Sequence, residues 1–175
     1  KEKKFKFLYL LGSDNLELKK DNEFIVYQGS HGDRGAEMAD IILPSAAYTE
    51  QNGLYSNLEG RVQECKKASY PIGDSLEDWK IFNLLLKKLG KIDRVNNFET
   101  LRKEVINSLV NFSQINDLPK KIINKSEKIN SIFNSEVILI KKIDYYYTNS
   151  ISRASKTMSE CKQVIEKSLK TGTNN

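Results

Sequence analysis

The residues with the most chemistry to offer lie between Gly29 and Arg61. Gly29, Gly32 and Gly35 recur at every third position, with Ser30, His31, Asp33 and Arg34 between them. A loop so rich in glycine lets backbone N–H groups approach a phosphate. The spacing is G-x-x-G-x-x-G, however, where dinucleotide sites have G-x-G-x-x-G, and no acidic residue is placed for a ribose. A tight crossover that needs glycine for steric reasons is the more economical account. His31 and Asp33 have the makings of a base with its orienting carboxylate, yet in a glycine loop they need not touch, and no Ser or Cys nucleophile is set beside them. A loop histidine bonded to backbone is the plainer reading. Glu59 and Arg61 straddle Gly60; on an extended chain they would share one face and pair with each other or with neighbouring loops.

Metal chemistry has little to draw on. The two cysteines, Cys65 and Cys161, are far apart, and His31 is the sole histidine. These residues supply no zinc or iron–sulfur site of normal ligand spacing. Buried free thiols in a reducing compartment are the favoured state, with a Cys65–Cys161 disulfide as the alternative.

The elements that must position these residues are legible in outline. Phe5–Leu11 reads as a first strand, closed by Gly12-Ser13-Asp14-Asn15, and Leu16–Lys20 as a short helical turn leading to the next. Phe24–Tyr27 is an apolar, β-rich run that suits a strand buried on both faces, stopping at Gly29. A short helix, a strand Ile41–Leu43 ended by Pro44, and a turn at Asn57–Gly60 into Arg61–Gln63 complete a parallel α/β unit, with the first two strands adjacent.

Beyond the break at Tyr70–Gly73, Ser75 and Asp78 approximate a capping box, and Lys87, Lys88 and Gly90 close the helix that follows. Its apolar residues Leu76, Trp79, Phe82, Leu86 and Leu89 step by three and four. Ile81, Leu84 and Leu85 widen the face, so the helix should be covered by the sheet on one side and a neighbour on the other. Trp79 then reads as a core anchor. Asn97–Phe112 predicts another helix with Leu101, Val105 and Leu109 on one side. Lys120–Asn134 reads as a loosely amphipathic surface helix, and Val137–Ile140 as a brief strand. A last helix carries Ile151, Ala154, Met158, Cys161, Ile165 and Leu169, capped by Thr148, Asn149 or Ser150, with a mobile tail from Thr171. Tyr145–Tyr147 before it reads as a packing hinge or part of an interface.

Composition bounds the class. The 175 residues are 29% charged and 39% hydrophobic, values of a folded domain with a real core. No apolar run approaches the roughly 18 residues of a membrane span. Lys1-Glu2-Lys3-Lys4 is too short and too mixed in charge for a targeting peptide, and a chain opening at Lys1 without Met is expected to be processed or a piece of a longer one. The net charge of +5 is spread over scattered lysines. Arginine is sparse and no aromatic–basic stacking platform appears, which argues against nucleic acid as a partner. Abundant Lys, Asn and Ile beside little Arg and Ala is the bias of AT-rich coding, a pointer to an organellar genome.

Ala39-Asp40-Ile41-Ile42-Leu43-Pro44, then Glu50, then Asn57-Leu58-Glu59-Gly60-Arg61-Val62-Gln63, resembles the AD-x-x-LP … E … N-x-EGR-x-Q signature of the molybdopterin oxidoreductase superfamily. Within it the chain most resembles the large iron–sulfur subunit of respiratory complex I, the NADH:quinone oxidoreductase. Val26–Gly29, His31–Asp33, Glu77–Ile81 and Tyr145–Met158 extend the likeness. It runs from about Phe7 to Cys161, thins between Gly90 and Val137, and matches the carboxyl-terminal portion of that subunit.

The resemblance implies an incomplete, Rossmann-like α/β fold: a parallel or mixed sheet with flanking helices over residues 1–118, and an extension over 119–175 with a short strand and an amphipathic helix. It implies a scaffold portion of an oxidoreductase subunit, with no catalytic residue, no metal ligand and no cofactor of its own. Gly29, Gly32, Gly35, Glu59 and Arg61 would form a vestigial pocket near where active relatives hold a pterin. Iron–sulfur clusters and FMN would sit on partner chains. The partners would be the missing amino-terminal iron–sulfur half, the flavoprotein and other peripheral-arm subunits, with no nucleic acid and no direct membrane span. The place would be the matrix-side arm of complex I at the mitochondrial inner membrane. Two alternatives stand beside this: a fragment of an active molybdopterin oxidoreductase, and a free-standing basic α/β binding module.

Overall fold

The computed structural model describes residues 5–13, 15–16, 18–91, 95–109, 115–118, 137 and 144–171. Three parallel strands, β1 (Phe7–Leu11), β2 (Phe24–Gly29) and β3 (Ile41–Pro44), form a sheet in the order β1-β2-β3. Leu8 stands opposite Ile25, and Leu10 opposite Tyr27. Because side chains alternate across a strand, Leu10, Ile25 and Tyr27 share one face, where Leu8, Leu16, Ala36, Met38 and Ala39 complete a core. Val26 and Gln28 point to the opposite face, so β2 is buried on both sides, as its apolar run predicts.

Helix α1 (Arg34–Met38) crosses from β2 to β3. Asp40 then fastens the two strands: its Oδ2 accepts the Ile25 N–H at 2.8 Å, while Oδ1 takes Lys20 Nζ at 2.6 Å. Strands β4 (Gly53–Ser56) and β5 (Val62–Cys65) pair antiparallel as a separate hairpin, with Val62 fully buried. Helices α2 (Asp78–Lys88), α3 (Phe98–Ser108), α4 (Ser150–Ala154) and α5 (Lys156–Thr171) follow.

Several local expectations are corrected. Leu16 and Leu18–Lys20 lie in irregular backbone and not in a helical turn, because Leu16 packs into the core and Lys20 reaches Asp40. Ser75 does not cap α2. Leu76 is drawn into an extended bridge beside Ser45, accepting the Ala46 N–H at 2.8 Å, so the helix starts only at Asp78 and Ser75 Oγ donates instead to the Ile72 carbonyl at 2.7 Å. Its other end behaves as read. Gly90, at φ +69°, lets Lys91 N donate to the Leu86 carbonyl and its own N–H to Lys87, a Schellman closure.

The expectation that α2 is covered on two sides is not met among the described residues. Ile81 is buried, but Leu84 is 53% and Leu89 73% exposed. Asn97 caps α3, accepting the Thr100 N–H at 2.9 Å. That helix stops at Ser108; residues 110–112 of the expected span lie outside those described. The last helix is two, because Ser155 adopts extended ψ and its Oγ accepts the Met158 N–H, ending α4 and starting α5. The Lys120–Asn134 helix, the Val137–Ile140 strand except Val137, and the tail beyond Thr171 lie outside the described residues.

Candidate functional site

The glycine loop closes around a tyrosine. Tyr27 is buried, with its hydroxyl donating to the His31 carbonyl at 2.7 Å. A Cβ on Gly35 would lie 2.5 Å from the Ser13 carbonyl oxygen and 3.1 Å from the Tyr27 ring. One on Gly29 would fall 2.3 Å from the Tyr27 hydroxyl. Both glycines therefore make room for a side chain of the protein itself. Gly32 differs, since its nearest neighbour would be Ala36 Cβ at 3.9 Å.

Asp33 follows in extended backbone and caps α1, its Oδ1 accepting the Arg34 N–H at 2.8 Å. Its other oxygen, Oδ2, accepts from Arg153 Nε of α4. Partial burial raises the Asp33 pKa, but the Arg153 and Arg34 contacts outweigh it and hold the carboxyl below its ordinary value. His31 does not join this pair; its Nδ1 lies 3.0 Å from Ser30 Oγ. The imidazole thus touches a neighbouring hydroxyl and not the expected backbone group, while the His31 carbonyl accepts from the Tyr27 side chain.

Glu59 and Arg61 do not share a face. Gly60 sits at φ +83°, a left-handed turn and not an extended link. Asn57 organises the tip: its Oδ1 accepts both the Glu59 and the Arg61 N–H at 3.0 Å, and its Nδ2 reaches Glu59 Oε2 at 3.4 Å. Arg61 Nε is buried with no hydrogen-bond partner among the described residues. Neither residue hydrogen-bonds to the glycine loop among the described residues, so the five residues of the expected pocket stand as a loop and a hairpin tip with no bond between them.

A polar junction that the sequence reading overlooked lies on the other face of the sheet. Gln28 is fully buried; its Nε2 donates to Asp78 Oδ1 at 2.7 Å, and its Oε1 accepts from the Tyr9 hydroxyl. Gln51 donates to Asp78 Oδ2 at 3.1 Å and to the Ala46 carbonyl at 3.3 Å. Asp78 is the first residue of α2, where the helix dipole favours its charge. Burial, and then the Asp78 charge, push the Tyr9 pKa up. One signal was available: a lone glutamine ending an apolar strand must find partners when buried. Beside this junction lies a cleft of about 280 Å³ walled by Gln51, Tyr55, Asp78, Trp79, Phe98 and Arg102. Trp79 is half-buried there, its Nε1 donating to Glu77 Oε2 at 2.7 Å. Since both Asp78 oxygens already accept from glutamine side chains, the junction's chemistry is fastening: it ties β1, β2 and the Gln51 loop to α2.

The carboxyl-terminal segment has its own fastening. Asp144 Oδ1 accepts the Tyr146 and Tyr147 N–H groups, and Oδ2 takes Lys162 Nζ at 2.6 Å. Lys162 also lies 4.2 Å from the Tyr147 ring centroid. Asn149 caps α4 in a reciprocal box with Ser152. Cys65 and Cys161 are both free thiols but not buried as expected: Cys65 is partly buried and Cys161 is exposed.

Comparison with known proteins gives two family matches: molybdopterin oxidoreductase over residues 1–88, and the carboxyl-terminal part of the G-type subunit of NADH-ubiquinone oxidoreductase over residues 111–161. The chain is 41% identical over 169 residues to the NADH-ubiquinone oxidoreductase 75 kDa subunit of Reclinomonas americana, covering 91% of this chain and 24% of that protein. It is 43% identical over 171 residues to the G-type subunit of NADH-quinone oxidoreductase from Rickettsia bellii, covering 94% and 25%. It is 42% identical over 173 residues to the mitochondrial NADH-ubiquinone oxidoreductase 78 kDa subunit of Candida albicans, covering 90% and 24%. The chain thus spans about a quarter of the length of these relatives.

Proposed function

The chain belongs to the molybdopterin oxidoreductase family, and from that premise we propose that it is the carboxyl-terminal scaffold portion of the iron–sulfur subunit of respiratory complex I. The observation that carries this reading is identity above 40% along nine-tenths of the chain to proteins named as subunits of NADH:quinone oxidoreductase. In this role the chain contributes to NADH-to-quinone oxidoreduction without a reacting group of its own. The electrons pass through clusters and FMN on partner chains. We divide it into an α/β part, 1–118, and an extension, 119–175; the first family match ends at residue 88 and the second begins at 111, eight residues ahead of that boundary.

The pterin cofactor of the wider family is a poor fit to the residues present. The Tyr27 ring fills the space beside Gly29 and Gly35. The start of α1 carries the Asp33 carboxylate, which repels a phosphate-bearing group. We therefore route no step through a pterin and read Gly29, Gly32, Gly35, Glu59 and Arg61 as a vestige.

The partners on this reading are the polypeptide carrying the other three-quarters of the relatives' length, the flavoprotein and further peripheral-arm subunits. Exposed Ile72, Leu84 and Leu89 support the view that part of the fold is completed from outside. No helix among the described residues is long and apolar enough to cross a membrane. We place the chain in the matrix-side arm at the mitochondrial inner membrane; the Candida albicans relative, which is named as mitochondrial, supports the mitochondrial part of that reading.

Native co-purification followed by identification of the bound proteins and metals tests the proposal. Recovery of an iron–sulfur polypeptide and a flavoprotein is the expected result. Equimolar molybdenum or tungsten would favour an active molybdopterin enzyme instead, and a monodisperse, cooperatively folding monomer without partners would favour a free-standing binding module.

A further inference from the structure

The carboxyl end of a parallel strand, where a glycine loop runs into a helix, is the position at which open α/β sheets hold anions. Here that position is taken by Asp33, and the cation facing it is Arg153, 120 residues further along the chain. One carboxylate serves two elements: Oδ1 caps α1 and Oδ2 receives Arg153 Nε. The Arg153 and Asp33 side chains are 18% and 21% exposed, so the pair is largely withdrawn from water.

Arg153 is itself held. Its Nη1 lies 3.4 Å from the Tyr147 carbonyl, within the turn that Asp144 braces and Lys162 ties to α5. The capping box of Asn149 and Ser152 fixes the start of α4, within one turn of Arg153. A continuous chain of polar contacts therefore runs from α5 through Asp144, Tyr147 and Arg153 to Asp33 and α1.

We infer that Asp33 and Arg153 form a clasp by which the carboxyl-terminal segment 144–171 holds the glycine loop, an internal ion pair standing where an open sheet would bind an external anion. The order of residues 29–38 and that of α4 and α5 are then coupled. This inference rests on the chain's own contacts and is independent of the complex in which it works.

Hydrogen exchange by mass spectrometry on the full chain in its native assembly tests it. Asp33→Asn keeps an oxygen for the Arg34 N–H and removes only the charge, and Arg153→Gln removes the cation. Each single variant should speed exchange about five- to tenfold in both residues 29–38 and 150–171, a size suited to a partly screened charged hydrogen bond. The double variant should add little to either single one. Acceleration confined to one segment, or fully additive effects, overturns the clasp.

Discussion

Gln28 and Asp78, fifty positions apart, meet at 2.7 Å across the buried face between β2 and α2. The amide is fully buried and spends its donor on the carboxylate and its acceptor on Tyr9. Such a satisfied network orients the helix on the sheet, and a half-satisfied one costs more than an apolar contact.

Gln28→Glu places two carboxylates in contact in a buried site. It is expected to lower stability at pH 7 by about 2–4 kcal/mol. Because burial and Asp78 raise the folded pKa of the new glutamate above its unfolded value, the loss should be smaller at low pH and grow as pH rises through that pKa. Thermal unfolding of the purified protein at about pH 5 and 7 checks the sign.

The glycine loop makes a contrast within one motif. Gly35→Ala forces a Cβ to within 2.5 Å of the Ser13 carbonyl, which is backbone and cannot turn away. It should cost about 2 kcal/mol or more. Gly32→Ala meets only Ala36 at 3.9 Å and should change stability by about 0.5 kcal/mol or less. Denaturant unfolding of the pair decides it: equal effects would refute the packing role given to Tyr27.

Acid should loosen the fold in a definite direction. Asp40 is lowered by the Lys20 contact and then the Ile25 N–H, and Asp144 by the Lys162 contact, which together with the Tyr146 and Tyr147 N–H groups outweighs the opposing effect of burial. Asp33 is lowered too, its contacts with Arg153 and Arg34 overcoming burial. Depressed carboxylates stabilise above their unfolded pKa, and that stability is lost as pH falls below about 4 through the folded values. Asp40→Asn and Asp144→Asn should flatten the acid limb of a stability–pH curve. At the alkaline end Tyr9, raised by burial and the Asp78 charge, acts oppositely: its contribution is full below its ordinary value and lost as pH climbs above about 10.

The bare side of α2 separates folding from assembly. Leu84→Lys and Leu89→Lys alter residues already in water, so unfolding of the chain should shift by about 0.5 kcal/mol or less. Recovery of the iron–sulfur and flavoprotein partners in co-purification should fall. Unchanged recovery would remove this face from the proposed interface.

What the sequence determined by itself was local. The apolar run Phe24–Tyr27 suited a doubly buried strand, Pro44 and Gly90 ended their elements, and the helices starting near Asn97 and at Thr148–Ser150 were placed, with Asn149 the cap among three candidates, because propensity and capping act within a few residues. Tertiary structure overruled that local logic at Ser75, where pairing of Leu76 with Ser45 delayed the helix, and at Gly60, where a positive φ separated Glu59 from Arg61. It alone decided that Gln28 meets Asp78 and that Asp33 meets Arg153. Those pairs depend on sheet register and on where distant helices dock, and no periodicity along the chain carries that information.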